Sequence, residues 1–493
     1  MRNKHGYDLN SLLILGNIII CCIGIYLYST AGGNEYIDLY TLLLLCVFGV
    51  QNILILLHER KKRNPLITVL MLVNLVYYMG RIVTLLYEPW SVTLGGDVFT
   101  ANDLNYALLF ILLANTAIFF GLIAPTKKGK SIINNCEETR YSSPLIVIII
   151  LLMMIIISLF GLLKFEFIGR IAGFITVFLV NIQIVLLLTI LYIIINYKKI
   201  SKIYLTILIT LIIFYVLSHT LMGSRQAIIL VIILWLFVKL SIESRVAITK
   251  KMIVLSVAIV PTALFVFTLA TFIRSSIPST DAGSIGKERI NILIDYEGPK
   301  GSIEKYLLPI FDRIGFLDYS TDVIRNSNKY SDIINFPYYI ESIVDNTLTP
   351  GFDIFNTIRV SWAAPYVSKG FSIPTREDVI DAYQSNQITV YGEHYVLFGG
   401  YASLIILFCV SYLFQNIYLR VNRRNTFPYL FYRSLVILIF YYWLNSYGID
   451  WLFMDLITML ISICLLKNFY YVRKMKYDKS EQDCAPELKD ATH

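Results

Sequence analysis

Long apolar segments dominate the chain, and polar residues are concentrated between them. A transmembrane helix needs ~20 mostly apolar residues, and about twelve segments meet that requirement. They lie near 11–29, 37–57, 65–87, 104–124, 144–163, 171–196, 203–221, 222–240, 252–273, 395–419, 428–446 and 449–468. The pattern predicts an all-α polytopic membrane protein with about 12 transmembrane helices.

One polar segment, residues 274–391, is far longer than the usual connection of ~4–6 residues. It contains aromatic residues, prolines and charges of both signs, so we expect it to be folded. Apolar residues recur in it at helical spacing, for example Leu307, Ile310, Phe311 and Ile314. This spacing predicts short amphipathic helices, which either lie on the membrane surface or form a small core of their own.

These features divide the chain into four parts. The first is a membrane bundle of about nine spans, and the second is the large loop. A group of about three further spans and a polar tail follow. The boundaries are 1–273, 274–391, 392–470 and 471–493.

Composition supports a membrane protein and charge predicts its orientation. The chain is 57% hydrophobic and 15% charged, with a mean hydropathy of +0.66 and a net charge of +8. The basic residues cluster in alternate short connections beside apolar segments, as orientation signals do, so we expect no nucleic-acid partner. The bias predicts cytoplasmic termini and an outward-facing loop, which in a bacterium would be periplasmic.

Cysteine usage does not indicate a metal site. None of the seven cysteines lies in the large loop, and none has the spacing of zinc ligands. We expect neither a metal nor a cofactor.

Two arginines are candidates for binding a phosphate group at the outer surface. Arg225 follows Gly223 and Ser224 in a tight turn between two predicted spans, and Arg274 stands where the large loop begins. A guanidinium group can bind phosphate oxygens through a bidentate fork. The alternative is that each side chain extends to the lipid headgroups as an anchor.

Acid–base candidates stand at the other end of the loop, in the segment Tyr391–Tyr395. Glu393 and His394 could each accept a proton from a sugar hydroxyl, although a Glu is also favourable at the N-terminus of a solvated helix. Other polar candidates are the remaining loop arginines and an aspartate between the last two spans. They are Arg313, Arg325, Arg359, Arg376 and Asp450.

The layout and three short motifs resemble the Wzy-type O-antigen and capsular polysaccharide polymerases. Members often carry a Gly-Ser-Arg turn before a span, which Gly223–Arg225 matches. They also carry a Glu-x-Tyr-x-x-Phe-Gly pattern after the loop, matched by Glu393–Gly399. Some have an Arg and a Gly eleven positions apart, like Arg359 and Gly370. The related O-antigen ligases share the Gly-Ser-Arg turn.

The resemblance implies a metal-independent glycosyltransferase that joins undecaprenyl-pyrophosphate-linked oligosaccharide repeat units into a polymer. It implies the lipid-linked unit and polymer as partners in a bacterial inner membrane, and it is compatible with a chain-length regulator and a flippase as further partners. The expected roles are a catalytic base, a pyrophosphate clamp and a set of glycan- or phosphate-positioning groups. In that order the residues are Glu393 or His394; Arg225 and Arg274; and Arg313, Arg359 and Tyr395.

Three other functions fit parts of the pattern. An O-antigen ligase would depend on His394 more than on Glu393. A lipid-linked oligosaccharide flippase also has about twelve spans, but the long loop counts against it. A scaffold for a polysaccharide assembly complex would tolerate loss of Arg225.

Overall fold

Helices account for nearly all regular structure in the part of the chain that this computed structural model describes. The described residues are 7–62, 64–87, 99–125, 139–162, 182–221, 226–243, 246–248, 315–349, 354–373, 388–422, 425–445 and 448–473. Four short strands also occur: β1 (Tyr7–Asp8), β2 (Thr139–Tyr141), β3 (Ala247–Ile248) and β4 (Tyr471–Arg473). They form two antiparallel pairs, β1 with β3 and β2 with β4.

The helices form three groups in chain order. The first group is α1 (Leu9–Ala31), α2 (Leu39–Lys62), α3 (Pro65–Val73), π1 (a π-helix, Asn74–Met79), α4 (Gly80–Tyr87), α5 (Ala101–Ile123), α6 (Pro144–Leu162), α7 (Ile182–Asn196), α8 (Lys202–Leu221) and α9 (Gln226–Ile242). The second is α10 (Phe316–Arg325), α11 (Ser327–Ile333), α12 (Phe336–Ile343), π2 (a π-helix, Val344–Leu348), α13 (Val360–Lys369) and α14 (Thr389–Leu397). The third is α15 (Ser403–Val421), α16 (Phe427–Leu444) and α17 (Ile449–Tyr470).

Eight helical segments of the described chain are long and apolar enough to cross a membrane. They are α1, α2, the continuous α3–π1–α4, α5, α8, α15, α16 and α17. This confirms a helical, multi-pass membrane protein. The helices α6, α7 and α9 are apolar but shorter, and the predicted span 252–273 lies outside the described residues. The total of about twelve spans and the outward orientation of the loop stay predictions.

The predicted span 395–419 begins later than expected. Its first residues belong to the separate helix α14, which ends at Leu397. Gly399 and Gly400 follow with φ angles of +74° and +65°, a left-handed conformation that glycine adopts readily and that terminates an α-helix. The apolar run is continuous in the sequence, but this glycine pair divides it into a buried short helix and a spanning helix.

The helices α10–α13 of the large loop have an apolar core of their own. Val323, Tyr330, Ile334, Tyr339 and Val367 are among its buried members. Leu307, Ile310, Phe311 and Ile314, which showed the helical spacing, lie outside the described chain. The described loop helices therefore form a small apolar core, and their position relative to the membrane surface stays a prediction.

A network of buried amides joins the first spans to one another. Asn52 donates to Asn17 at 3.1 Å, Asn74 donates to Asn115 at 2.8 Å, and Asn115 donates to Gln51 at 2.8 Å. Polar side chains in a membrane interior are costly unless they are paired, so these bonds fix how α1, α2, α3–π1 and α5 are arranged.

A buried ion pair fastens the loop helices to this bundle. Arg81 of α4 donates from Nε to Oδ1 of Asp318 at 2.9 Å and from Nη2 to Oδ2 at 2.6 Å. Both side chains are completely inaccessible to solvent. Since Asp318 lies in α10, this two-bond fork places the loop helices directly against the end of a spanning helix.

The helices α5 and α15 cross at a glycine. A Cβ on Gly121 would lie 2.4 Å from the carbonyl oxygen of Phe408 and 2.8 Å from Cβ of Ser411. Both are closer than such atoms can approach, so the two helices can contact each other here only because residue 121 has no side chain.

We expect Gly121→Ala to lower the melting temperature of the purified protein by several degrees, because α15 must move away from α5. Overpacking of this kind costs ~1–3 kcal/mol. Thermal unfolding in detergent, followed by size-exclusion chromatography, measures the effect. Gly16→Ala is the matched control, since its new Cβ would meet only the end of the Leu75 side chain, at 3.0 Å. Equal melting temperatures for the two variants would contradict this account of the crossing.

We expect Arg81→Met to destabilise the protein strongly, because it leaves the Asp318 carboxylate buried without its cation. Breaking one side of a buried pair costs ~3–5 kcal/mol, whereas replacing both partners by apolar residues is often neutral. The double variant Arg81→Met/Asp318→Leu should therefore regain much of the lost stability in the same thermal assay. A single variant as stable as the wild type would show that the pair does not hold the loop.

Candidate functional site

The helix α14 carries the predicted acid–base residues and is buried between the loop and the bundle. Every residue from Thr389 to Tyr395 is buried. The helix packs against α10, α11 and α15. Thr389 begins it with a φ of +58°, which is unusual for a β-branched residue, and its hydroxyl bonds that of Ser320 in α10 at 2.7 Å. The loop thus holds the start of α14 in a strained conformation.

Glu393 points toward the start of α17. Its side chain is 1% exposed, and Oε1 accepts a hydrogen bond from the backbone N–H of Ile449 at 2.6 Å. The Tyr339 hydroxyl also bonds it, and burial together with the nearby Glu393 charge raises the pKa of that tyrosine. A carboxylate is favourable at a helix N-terminus, so Glu393 stabilises the beginning of α17.

Asp450 binds two loop helices to the same helix end. Its Oδ2 accepts from the Ser342 hydroxyl at 2.7 Å and from the Val360 N–H at 3.0 Å, and its Oδ1 accepts from the Trp451 N–H at 2.9 Å. The sequence suggested only an outward-facing aspartate at this position. In the structure it is buried and connects α12, α13 and α17.

Arg359 lies next to this cluster, stacked on tryptophan. Its guanidinium carbon is 3.8 Å from the centre of the Trp451 ring and 5.6 Å from that of Trp362. Trp451 is itself held by a 2.7 Å hydrogen bond from its ring N–H to Ser361. Stacking fixes the plane of the guanidinium group, and its Nη2 lies 3.0 Å from the sulfur of Met454.

The spacing from Arg359 to Gly370 has a structural explanation. Arg359 is the residue immediately before α13, and Gly370 ends that helix with a φ of +75°. Arg359 and Gly370 are therefore eleven positions apart because one ten-residue helix lies between them. The motif places an arginine at the end of α13 that faces α17.

His394 faces a different environment from its neighbour. It is 2% exposed and lies against the rings of Phe398 and Trp443, with centroid distances of 5.5 and 5.8 Å. Burial lowers the pKa of His394 to about 4, and the nearby backbone of Val390 opposes this shift. The imidazole is therefore neutral at pH 7.

Tyr395 points away from α17 and toward α5. Its hydroxyl lies 2.9 Å from that of Tyr106, and its ring packs edge-to-face on Phe110 at 4.7 Å. Burial raises the pKa of Tyr395, so it stays protonated and can donate a hydrogen bond. Glu393, His394 and Tyr395 are consecutive in α14, and each side chain contacts a different part of the protein.

Of the five other arginines predicted for the site, only Arg325 lies in the described part of the chain. Arg325 forms an ion pair with Asp103 of α5 at 3.5 Å. Four arginines lie outside the described residues, so the predicted pyrophosphate clamp and part of the positioning set stay predictions. They are Arg225, Arg274, Arg313 and Arg376.

Sequence reasoning missed Arg81, Asp318 and Tyr339. Arg81 could have been noticed, because a charged residue inside an apolar segment is rare and usually has a partner or a function. Asp318 and Tyr339 are ordinary loop residues in the sequence, and only the tertiary structure brings them to Arg81 and Glu393.

Comparison of the chain with protein-family models, with curated proteins and with solved structures finds no match in any of the three. The described residues contain no group of three or more His, Cys, Asp or Glu side chains placed to hold a metal ion.

We expect His394 to make folding stability pH-dependent. Its pKa in the folded protein is about 4, below the ordinary 6.5, so the unfolded chain binds a proton first as the pH falls. Stability is then lost between pH 6.5 and 4, by an amount on the order of 3 kcal/mol. His394→Gln should remove this part of the loss in thermal unfolding measured across that range.

Phe398→Leu is the control, because it disturbs the packing around the imidazole without removing a titrating group. It should lower stability by a similar amount at every pH. If His394→Gln keeps the wild-type pH dependence, the imidazole is not the responsible group.

Proposed function

We propose that this protein is a membrane glycosyltransferase that polymerises lipid-linked oligosaccharide repeat units at the outer face of a bacterial inner membrane. The donor is the growing chain on undecaprenyl pyrophosphate, and the acceptor is one repeat unit on the same lipid. A hydroxyl of the acceptor attacks the anomeric carbon of the donor, the glycosidic bond forms, and the lipid pyrophosphate leaves.

The observation that supports this proposal is the position of α14. This helix carries Glu393 and Tyr395, the Glu-x-Tyr part of the motif in the resemblance, and packs against the loop helices α10 and α11 and the spanning helix α15. A reaction between a lipid-anchored pyrophosphate and a water-soluble glycan needs such a position, where a membrane boundary and a polar cap meet.

The described residues suggest a division of roles. Arg359, oriented by Trp451, is suited to bind the glycan or a phosphate oxygen near the start of α17. Arg225 and Arg274 would offset the negative charge that develops on the leaving pyrophosphate. Tyr395 and Arg313 would position the glycan.

The proton acceptor is Glu393 or His394, and each has a physical argument. A carboxylate bonded to Ile449 and Tyr339 is held in one orientation, but those bonds stabilise its charged form and weaken it as a base. The imidazole of His394 is neutral and therefore able to accept a proton, but aromatic rings surround it. We propose Glu393 as the base and His394 as the second candidate.

Deletion of the gene separates the candidate functions through the surface glycan of the strain. A polymerase mutant displays single repeat units, a flippase mutant retains the units on the cytoplasmic face, and a ligase mutant accumulates polymer that is not transferred to its final acceptor. We expect single repeat units. A full-length ladder in the deletion strain would refute the proposal.

We expect Glu393→Gln to reduce polymer formation by about 10²-fold or more, the usual contribution of a general base, while leaving the melting temperature within a few degrees of wild type. A glutamine can still accept from Ile449 through its oxygen and donate to Tyr339 through its nitrogen. Gel analysis of the glycan ladder in the complemented deletion strain and thermal unfolding of the purified variant measure the two effects.

Glu393→Ala is the matched comparison. It leaves the N–H of Ile449 and the hydroxyl of Tyr339 buried without this partner, so it should lower both activity and stability. A glutamine variant with the wild-type ladder would show that Glu393 only caps α17. The same experiment on His394→Gln would then test the second candidate.

A further inference from the structure

A cavity of about 460 Å³ opens on the side of α14 opposite to Glu393. Its walls come from the start of α2, the first turns of α5, the junction of α10 with α11, and Tyr395 of α14. The volume falls within the ~300–1,000 Å³ of small-molecule sites. The cavity is thus a possible binding site separate from the Arg359 cluster.

Three polar side chains face this cavity without an internal hydrogen bond among the described residues. They are the hydroxyl of Tyr40, the amide of Asn102 and the hydroxyl of Ser327. Tyr40 and Tyr106 are 50% and 42% exposed. Tyrosine provides a flat apolar surface together with a hydroxyl group, so the site offers both stacking and hydrogen bonding.

The charges at the cavity compensate each other. Arg325 and Asp103 approach to 3.5 Å, and Asp103 also accepts hydrogen bonds from the backbone and hydroxyl of Thr100. A phosphate group brought here would meet the Asp103 carboxylate as well as the arginine. The lining therefore favours an uncharged ligand that carries many hydroxyl groups.

Hydrogen bonds to neighbouring side chains fix the orientation of Asn105 and Tyr106 in the cavity wall. Asn105 donates to both carboxylate oxygens of Asp38, at 3.0 and 3.1 Å, and accepts from Thr41 at 2.7 Å. The Tyr106 hydroxyl is oriented by Tyr395, two residues after Glu393 in the chain. A ligand bound in the cavity would thus contact the helix that carries the proposed base.

We propose that this cavity binds uncharged sugars of the growing chain that lie beyond the reacting sugar, with Tyr40, Asn102 and Ser327 as its hydrogen-bonding groups and Tyr106 as its stacking surface. This inference rests on the proposed function, because it assigns the cavity to one of the two glycans of that reaction.

The probe for the test is a lipid-free oligosaccharide of one repeat unit, prepared by partial acid hydrolysis of the surface polysaccharide of the strain. Its binding to the purified protein in nanodiscs is measured by saturation-transfer difference NMR. Wild-type protein should give a saturable signal. Tyr40→Ala and Asn102→Ala should each weaken binding at least about fivefold, the loss expected for one hydrogen bond, without a change in melting temperature.

Tyr26→Ala is the control, because Tyr26 is an exposed tyrosine of α1 that does not line the cavity. It should bind the probe like the wild type. If Tyr40→Ala and Asn102→Ala also bind like the wild type, the saccharide site is refuted even where the deletion strain shows single repeat units. A full-length ladder in the deletion strain would instead refute the polymerase proposal, whatever the binding data show.

Discussion

The buried fork between Arg81 and Asp318 is the interaction on which the arrangement of the site depends. It joins a spanning helix to the loop with two short hydrogen bonds and with no solvent access to either side chain. Removing two charges from water is costly, and only close, well-oriented pairing offsets that cost. Small displacements of α10 relative to α4 are therefore strongly disfavoured. Since α10 also holds the start of α14 through Ser320 and Thr389, the fork indirectly fixes the helix that carries Glu393.

A second connection between membrane and loop runs through the buried amides. The Tyr391 hydroxyl of α14 donates to Asn74, the first residue of the π-helix π1, at 3.3 Å. Asn74 in turn bonds Asn115 of α5. π-Helical turns within α-helices are frequent at functional sites because they redirect side chains. Here π1 begins at Asn74 and ends two residues before Arg81, so the altered winding helps determine the positions of both residues that contact the loop.

The features that could be predicted from sequence are those that depend on neighbouring residues alone. A continuous apolar run is a local property, and the eight helices of the described residues that can span a membrane were all predicted. The pair Gly399–Gly400 is also a local signal, but the apolar residues on both sides of it predicted one continuous span. Tertiary partners could not be predicted, since Arg81 and Asp318 are 237 positions apart. Likewise, nothing near Glu393 in the chain indicates that its carboxylate contacts the start of α17.

The helices explain the residue spacing in two of the short sequence motifs. Arg359 and Gly370 delimit one helix, so Gly370 is needed for its left-handed turn and the chemistry of the motif falls on the arginine. Glu393 and Tyr395 are two positions apart on a helix, and a rotation of about 200° separates side chains at that spacing. They therefore face α17 and α5 and cannot act on the same atom. A pattern that reads as one catalytic motif is thus distributed over two surfaces of α14, one toward Arg359 and one toward the cavity beside Tyr106. If the two glycans of the proposed reaction meet at this helix, each surface can serve one of them.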